Sequence, residues 1–137
     1  MSETKLACRL NNVEKSLARL EAVARKPLDE EYVNLDATVH RFNVAFETLL
    51  KALDTYLASM HRMSPNERGH SNFERLQAAF RVGLIDDDRI WARIRKARNA
   101  TVHEYDQEQA LALYRAVKTY VPHLRSLLLR MRAGPAG

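Results

Sequence analysis

The sequence has little cysteine or glycine, and each shortage excludes a class of protein. Its one cysteine, Cys8, cannot form an internal disulfide or a cysteine-based metal cluster. Only Gly69 and Gly83 lie outside the C-terminal tail, so neither a P-loop nor a dinucleotide-binding fingerprint can be written. No apolar run approaches the ~20 residues of a membrane span, and the charged N-terminus does not resemble a signal peptide. We therefore expect a cytoplasmic protein.

The composition is that of an ordinary globular domain. Apolar residues make up 46% of the 137 residues, which is enough for one core without a disulfide or metal to stabilise it. There are 22 basic and 17 acidic side chains, so the formal net charge is +5. This charge allows a polyanionic partner but does not by itself predict one.

Apolar residues recur at spacings of three and four, and no segment alternates with a period of two, so the sequence predicts an all-α protein. The amphipathic pattern predicts four helices, over about residues 6–24, 30–60, 73–83 and 88–100, and a fifth helix that begins after Asp106. An antiparallel bundle is the simplest way to bury five such faces. We predict one helical domain over residues 1–132, followed by a disordered tail at 133–137.

Several residues predict where the helices begin and end. Asp29 is a good N-cap for the second helix, and Asp106 with Gln109 resembles a capping box for the fifth. Gly83 stands where a helix commonly ends on a glycine, and the segment 61–71 has the composition of a loop. Pro122 should kink the fifth helix.

Three adjacent aspartates, Asp86, Asp87 and Asp88, raise the alternative of a metal site. No histidine or glutamate follows at ligand spacing, and aspartate is more often a helix cap. We therefore predict that one of the three caps the fourth helix and that there is no metal site. Trp91 and Ile94, at helical spacing, are predicted to lie in the core.

One cluster could carry chemistry. The fourth helix bears a run of cations without an acid between them and leads into a polar segment; the residues are Arg89, Arg93, Arg95, Lys96, Arg98, Asn99, His103 and Tyr105. Arg98 and His103 are five residues apart, about 140° on an uninterrupted helix, so they converge only if the helix ends between them. An arginine beside an imidazole suits RNA cleavage without a metal: His103 takes the 2′-OH proton and Arg98 holds the phosphate.

Each of these residues also has a purely structural interpretation. A histidine at a helix end often caps backbone carbonyls, and a tyrosine on an amphipathic helix usually packs against the core. Arg93, Arg95 and Lys96 could contact RNA or a protein partner, or could simply form a solvated face. The residue pattern alone leaves these alternatives open.

The assembled pattern resembles the HEPN superfamily, and within it the HepT-like proteins labelled nucleotidyltransferase substrate-binding proteins. The chain matches their Arg-x4-6-His-x-Tyr motif with Arg98, His103 and Tyr105. The similarity covers about residues 16–124 and includes a second-helix signature and a later segment, which comprise Asp36, Val39, Arg41, Phe42, Phe46, Glu47, Lys51, Leu53, Tyr56, Leu57, Ala79, Phe80, Gly83, Leu84, Ile85, Asp87, Trp91 and Asn99. Asn43 and Leu50 depart from it, since the family usually has glutamate and often tryptophan at these positions; both lie outside the motif.

The resemblance implies a HEPN four-helix bundle with a short extra helix, which dimerises or assembles further with two motifs facing each other. One imidazole would then act as base and the other as acid. It also implies a cognate nucleotidyltransferase antitoxin that uses ATP to adenylylate Tyr105. The added phosphodiester would compete with RNA for Arg98 and His103. Asn99 would orient the motif.

Three functional hypotheses remain. The first is a toxin that cuts RNA, with no cofactor, through Arg98 and His103, and with Tyr105 positioning RNA and accepting the modification. The second is a non-catalytic binding subunit of a minimal nucleotidyltransferase. The third is a purely structural helical bundle.

Overall fold

The computed structural model describes residues 4–102 and 106–135, and every regular element in these ranges is an α-helix. The helices are α1 (Lys5–Ala24), α2 (Val33–Met60), α3 (Pro65–Arg68), α4 (Asn72–Arg81), α5 (Asp88–Val102) and α6 (Gln107–Ala133). The predicted all-α fold is confirmed, although this part of the chain already has six helices where five were predicted.

Four helices, α1, α2, α5 and α6, form the antiparallel bundle, in which α1, α2 and α6 all contact one another. The Tyr114 hydroxyl near the start of α6 donates to the carbonyl of Lys26, just past the end of α1, at 2.7 Å. Towards the other end of α6, Arg132 reaches Glu14 at 3.0 Å, so the two helices run in opposite directions. Two short helices, α3 and α4, cover the side of α2, where the sequence predicted one.

The core consists of the predicted apolar stripes. On α1 the buried residues recur every three or four positions; they are Leu6, Leu10, Val13, Leu17 and Leu20. Trp91 and Ile94 of α5 are buried, as predicted. Each fully buried side chain of this size contributes roughly 1.5–3 kcal/mol, so these stripes dominate stability.

Three large apolar residues of the predicted helices lie largely outside the core. Met60 ends α2 and is 46% exposed, while Phe73 and Phe80 of α4 are 50% and 45% exposed. A helix of only ten residues buries a narrow strip, and on α4 that strip consists of Leu76, Ala78 and Ala79.

α2 begins later than predicted, at Val33, because Tyr32 adopts a left-handed conformation with φ of 57°. Asp29 nevertheless caps the helix from the preceding turn: its carboxylate accepts the backbone N–H groups of Val33 and Asn34 at 3.1 and 2.8 Å. These backbone bonds, above all that from Asn34, lower the pKa of Asp29.

Of the next two predicted boundaries, one is wrong in part and one is confirmed. The segment 61–71 is not entirely a loop, because Ser64 and Glu67 form a capping box that starts α3. Gly83 ends α4 as predicted, with φ of 81°; its N–H bonds the carbonyl of Phe80, and that of Leu84 bonds Ala79, at 3.1 and 3.0 Å.

α6 begins where the sequence predicts, because the Asp106 side chain accepts the backbone N–H of Glu108 at 2.9 Å. The helix continues through Pro122 to Ala133, so the first residue of the predicted tail is still helical. Ala136 and Gly137 lie outside the described residues. Cys8, in the first turns of α1, is exposed. Across residues 4–102 and 106–135, no helix combines the length and apolarity needed to cross a bilayer.

Candidate functional site

The predicted site lies at the bundle end where α5 finishes and α6 begins. α5 is described as far as Val102, two residues beyond its predicted end. The chain resumes at Asp106, whose extended backbone shows that a helix end separates α5 from α6. His103 and Tyr105, the predicted base and modification site, lie outside the described residues.

Arg98 occupies the penultimate turn of α5 and is half-buried. Its guanidinium carbon lies 5.8 Å from the centre of the Phe46 ring on α2, within the range of a cation–π contact. Its Nη1 donates to Oδ1 of Asn99 at 3.3 Å. Within the described residues no carboxylate pairs with Arg98, so most of its five N–H donors are available to an anion.

The next turn of α5 is attached to α2 through Thr101. Its hydroxyl lies 3.3 Å from Oδ1 of Asn43 and 2.9 Å from the carbonyl of Ala97. Asn43 is one of the two positions where the sequence departs from the resemblance. The structure places it against the helix that carries the motif, so this departure bears on the site as well as on the packing that the sequence suggested.

The three candidate RNA contacts on α5 separate into two groups. Arg93 and Lys96, exposed and one turn apart, line a cleft of about 260 Å³ between α5 and α6, together with Tyr120 and Gln109. Arg95 points elsewhere, since its guanidinium lies 5.2 Å from the centre of the Phe73 ring on α4. The cleft therefore has two cations on its rim and no acid among its lining residues.

Asp86 and Asp87, which precede α5, have structural roles. Asp87 caps α5 by accepting the backbone N–H of Ile90 at 3.2 Å, which confirms the predicted cap. Asp86 pairs with Arg130 of α6 at 3.2 Å. Within residues 4–102 and 106–135, no group of three potential ligands could hold a metal ion.

A second cleft, which the sequence interpretation missed, lies on the other side of α5. It has a volume of about 380 Å³ and is lined by Thr101 of α5 and a strip of α2 that comprises Asp36, Val39, His40 and Asn43. The spacing of Asp36, His40 and Asn43 places them on one helical face. This polar strip beside the apolar stripe of α2 was a signal that the sequence offered.

Comparison with known proteins identifies relatives over most of the chain. A family described as nucleotidyltransferase substrate binding protein like matches residues 8–133. A Haemophilus influenzae protein named probable ribonuclease HepT is 32% identical over 95 residues, which span 69% of this chain and 64% of that protein. The chain thus matches less than two thirds of that relative's length.

Two solved structures share the fold. A Thermus thermophilus protein is 32% identical, with a TM-score of 0.76 over 88% of this chain and 98% of its own. A Haemophilus influenzae protein, described as having the fold of a substrate binding domain of a nucleotidyltransferase, is 24% identical, with a TM-score of 0.65 over 93% of this chain and 96% of its own. The helical bundle described above is therefore shared with both.

Proposed function

The chain belongs to the nucleotidyltransferase substrate binding protein like family, and from that premise we propose that it is a HepT-type toxin that cleaves RNA without a metal. Family membership confirms the HepT-like resemblance of the sequence. The name of the Haemophilus influenzae relative, probable ribonuclease HepT, supports the activity. We place the protein in the cytoplasm, where its RNA substrate would be.

The observation that carries the proposal is that Arg98 has no acidic partner among the described residues. A half-buried guanidinium with only a neutral amide and an aromatic ring as partners among the described residues is prepared to bind an anion. In the proposed reaction Arg98 holds the scissile phosphate and stabilises the charge that develops on its oxygens. His103, five residues later, removes the 2′-OH proton, and Asn99 restrains the Arg98 side chain.

RNA on either side of the scissile phosphate would follow the basic surface of α5. Arg93 and Lys96 border a cleft with no acidic lining and suit phosphate contacts. Arg95, held on Phe73, would contribute mainly through its charge. Because such contacts read the backbone, they supply affinity without sequence preference.

The regulatory part of the proposal concerns Tyr105. A cognate nucleotidyltransferase antitoxin would adenylylate this residue, and the new phosphodiester would compete with RNA for Arg98. A homodimer, or a higher oligomer, would place two motifs opposite each other. The description of the family, which refers to a nucleotidyltransferase, supports a partner of this kind.

The same description favours one alternative. A non-catalytic subunit could present a substrate, or its own Tyr105, to a minimal nucleotidyltransferase without cutting RNA. In that case Arg98 would contact the partner or its nucleotide.

Two measurements test the proposal. Purified protein should cleave RNA in EDTA to products with 2′,3′-cyclic phosphate ends, and His103→Ala should abolish the activity; equal cleavage by both proteins contradicts the role of His103. After co-expression with the cognate nucleotidyltransferase, intact mass should rise by an adenylyl group that Tyr105→Phe removes. Modification without RNA cleavage by the unmodified protein favours the alternative.

A further inference from the structure

The bundle end opposite the α5–α6 junction contains a cavity that the proposed function does not use. It has a volume of about 490 Å³ and lies where the end of α2, the turn after α4 and the end of α6 meet. Its polar side chains are Tyr56, His61 and Arg130, and no acid is among the described residues that line it. Tyr56 lies about 20 Å along the α2 axis from Asn43, so this cavity is separate from the proposed RNA site.

Tyr56 forms part of the cavity wall and carries a hydroxyl without a partner. The residue is fully buried, and its phenolic oxygen makes no hydrogen bond with any described residue. Burial raises the pKa of Tyr56, so the hydroxyl keeps its proton at neutral pH and can donate it to a hydrogen bond. A buried donor without an acceptor is rare, because it loses its bond to water and gains none in return. The hydroxyl therefore suits an acceptor that enters the cavity.

Two further donors come from other segments of the chain. His61, just past the end of α2, packs on Tyr56 with ring centres 5.5 Å apart, and its nitrogens bond no described residue. In Arg130 of α6, Nη1 donates to carbonyls of the turn after α4 and Nη2 to Asp86 at 3.2 Å, so the Nε–H and one N–H of Nη2 remain available. Asp86 is 81% exposed, so its pairing with Arg130 is weak and an anion in the cavity can compete with it.

The donors and the size of the cavity indicate a class of ligand. Three donor side chains, one of them a cation, favour an anion. A phosphate presents oxygens in three directions, whereas a carboxylate presents two in one plane. The cavity is far larger than a phosphate ion, and its wall includes Val82 and Pro135, so an apolar group has room beside the anion. We propose that this cavity binds a small organic phosphate monoester, which accepts hydrogen bonds from Tyr56, His61 and Arg130.

Phenyl phosphate is a suitable probe, and nuclear magnetic resonance of the isotope-labelled full chain shows where it binds. This site resolution is needed because the proposed function gives Arg98 an anion to bind as well. Phenyl phosphate should shift the backbone amide signals of His61, Gly83 and Gly134 in a saturable way. Phenol lacks the anion, benzoate carries a carboxylate in place of the phosphate, and inorganic phosphate lacks the apolar group. Each should bind at these signals more weakly than phenyl phosphate.

Tyr56→Phe removes only the hydroxyl and should weaken phenyl phosphate binding by about 10-fold or more, as loss of a hydrogen bond to a charged group does. Because this hydroxyl has no partner in the free protein, the midpoint of urea unfolding should stay the same or rise. Tyr114→Phe, which removes a hydroxyl that bonds Lys26, is the matched control and should lower the midpoint without changing the affinity. Arg130→Gln should also weaken binding, whereas Arg132→Gln, outside the cavity lining, should not.

Three results would overturn the proposal. If no amide signal of the cavity shifts in a saturable way, or if Tyr56→Phe binds phenyl phosphate as tightly as the wild type, the cavity is not the site. If benzoate binds as tightly as phenyl phosphate, the class of ligand is wrong. If Tyr56→Phe loses as much stability as Tyr114→Phe, the hydroxyl is already bonded in the free protein. None of these results bears on RNA cleavage, which is tested separately.

Discussion

Arg125 and Arg98 are both half-buried arginines of the bundle, yet their surroundings are opposite. Arg125 of α6 donates to Glu14 and Glu21 of α1 at 2.7 and 2.6 Å, and Arg132 adds a bond to Glu14 at 3.0 Å. Arg98 has one long bond to a neutral amide and lies over a ring. The charge of Arg125 is therefore neutralised within the fold, whereas that of Arg98 is not.

This difference separates two uses of the same side chain. At the α1–α6 contact, paired charges hold two helices together, and the bonds from Arg125 and Arg132 lower the pKa of Glu14. At the end of α5, an unneutralised cation adds little to stability but creates a site for an anion. Substitutions should therefore affect stability at the first position and activity at the second.

The largest effect is expected at Arg98. Arg98→Ala should lower kcat/KM for RNA by about 100-fold or more, as removal of one group that stabilises a developing oxyanion does. The midpoint of urea unfolding should change little, because no described ion pair is lost. Arg19→Ala, an exposed arginine of α1, removes the same charge and should keep nearly full activity. A large loss of stability in Arg98→Ala would place Arg98 in the same class as Arg125.

Arg125→Met should lower stability and leave activity unchanged, the reverse of Arg98→Ala. The substitution keeps much of the aliphatic contact but leaves Glu14 and Glu21 without this partner, at a cost of about 1–2 kcal/mol in the free energy of unfolding. Urea denaturation measures this cost, and RNA cleavage should remain at the wild-type rate below the unfolding transition. Loss of activity without loss of stability would contradict the division between the two regions.

The smallest expected effect is on stability at acidic pH. Because the pKa of Glu14 is lowered in the fold, its contribution to stability is present above the ordinary value of 4.5 and is lost as the pH falls through the lowered value. Glu14→Gln should therefore flatten the dependence of the unfolding free energy on pH below 4.5. Glu30→Gln, an exposed residue of the α1–α2 connection, should keep the wild-type slope.

The leucine stripes made the bundle predictable, because burial of one face in three or four residues is a local property of the sequence. The start of α2 was not predictable in the same way. A capping aspartate normally precedes its helix directly, whereas Asp29 acts across a turn that ends in the left-handed Tyr32. The short helix α3 was not predicted because its segment contains a proline and a glycine, and loops commonly contain the same residues.

The site was predicted in part. The sequence placed Arg98 at the end of α5, and the roles of His103 and Tyr105 stay predictions because both lie outside the described residues. Arg93 and Arg95 looked equivalent in the sequence, but a difference of two residues turns them to different faces of the helix, one to a cleft and one to Phe73. The contact between Asn43 and Thr101 depends on which helix packs against α2, which periodicity alone does not state.

The single cysteine offers a spectroscopic ruler. Cys8 is exposed in the first turns of α1, at the bundle end opposite the junction of α5 and α6. It lies about 22 Å along the axis from Val23, near the other end of the helix. A spin label attached to the native chain at this thiol reports the separation between two copies without any substitution. An assembly joined through the α5 ends would hold the labels far apart, and one joined through the opposite ends would bring them close.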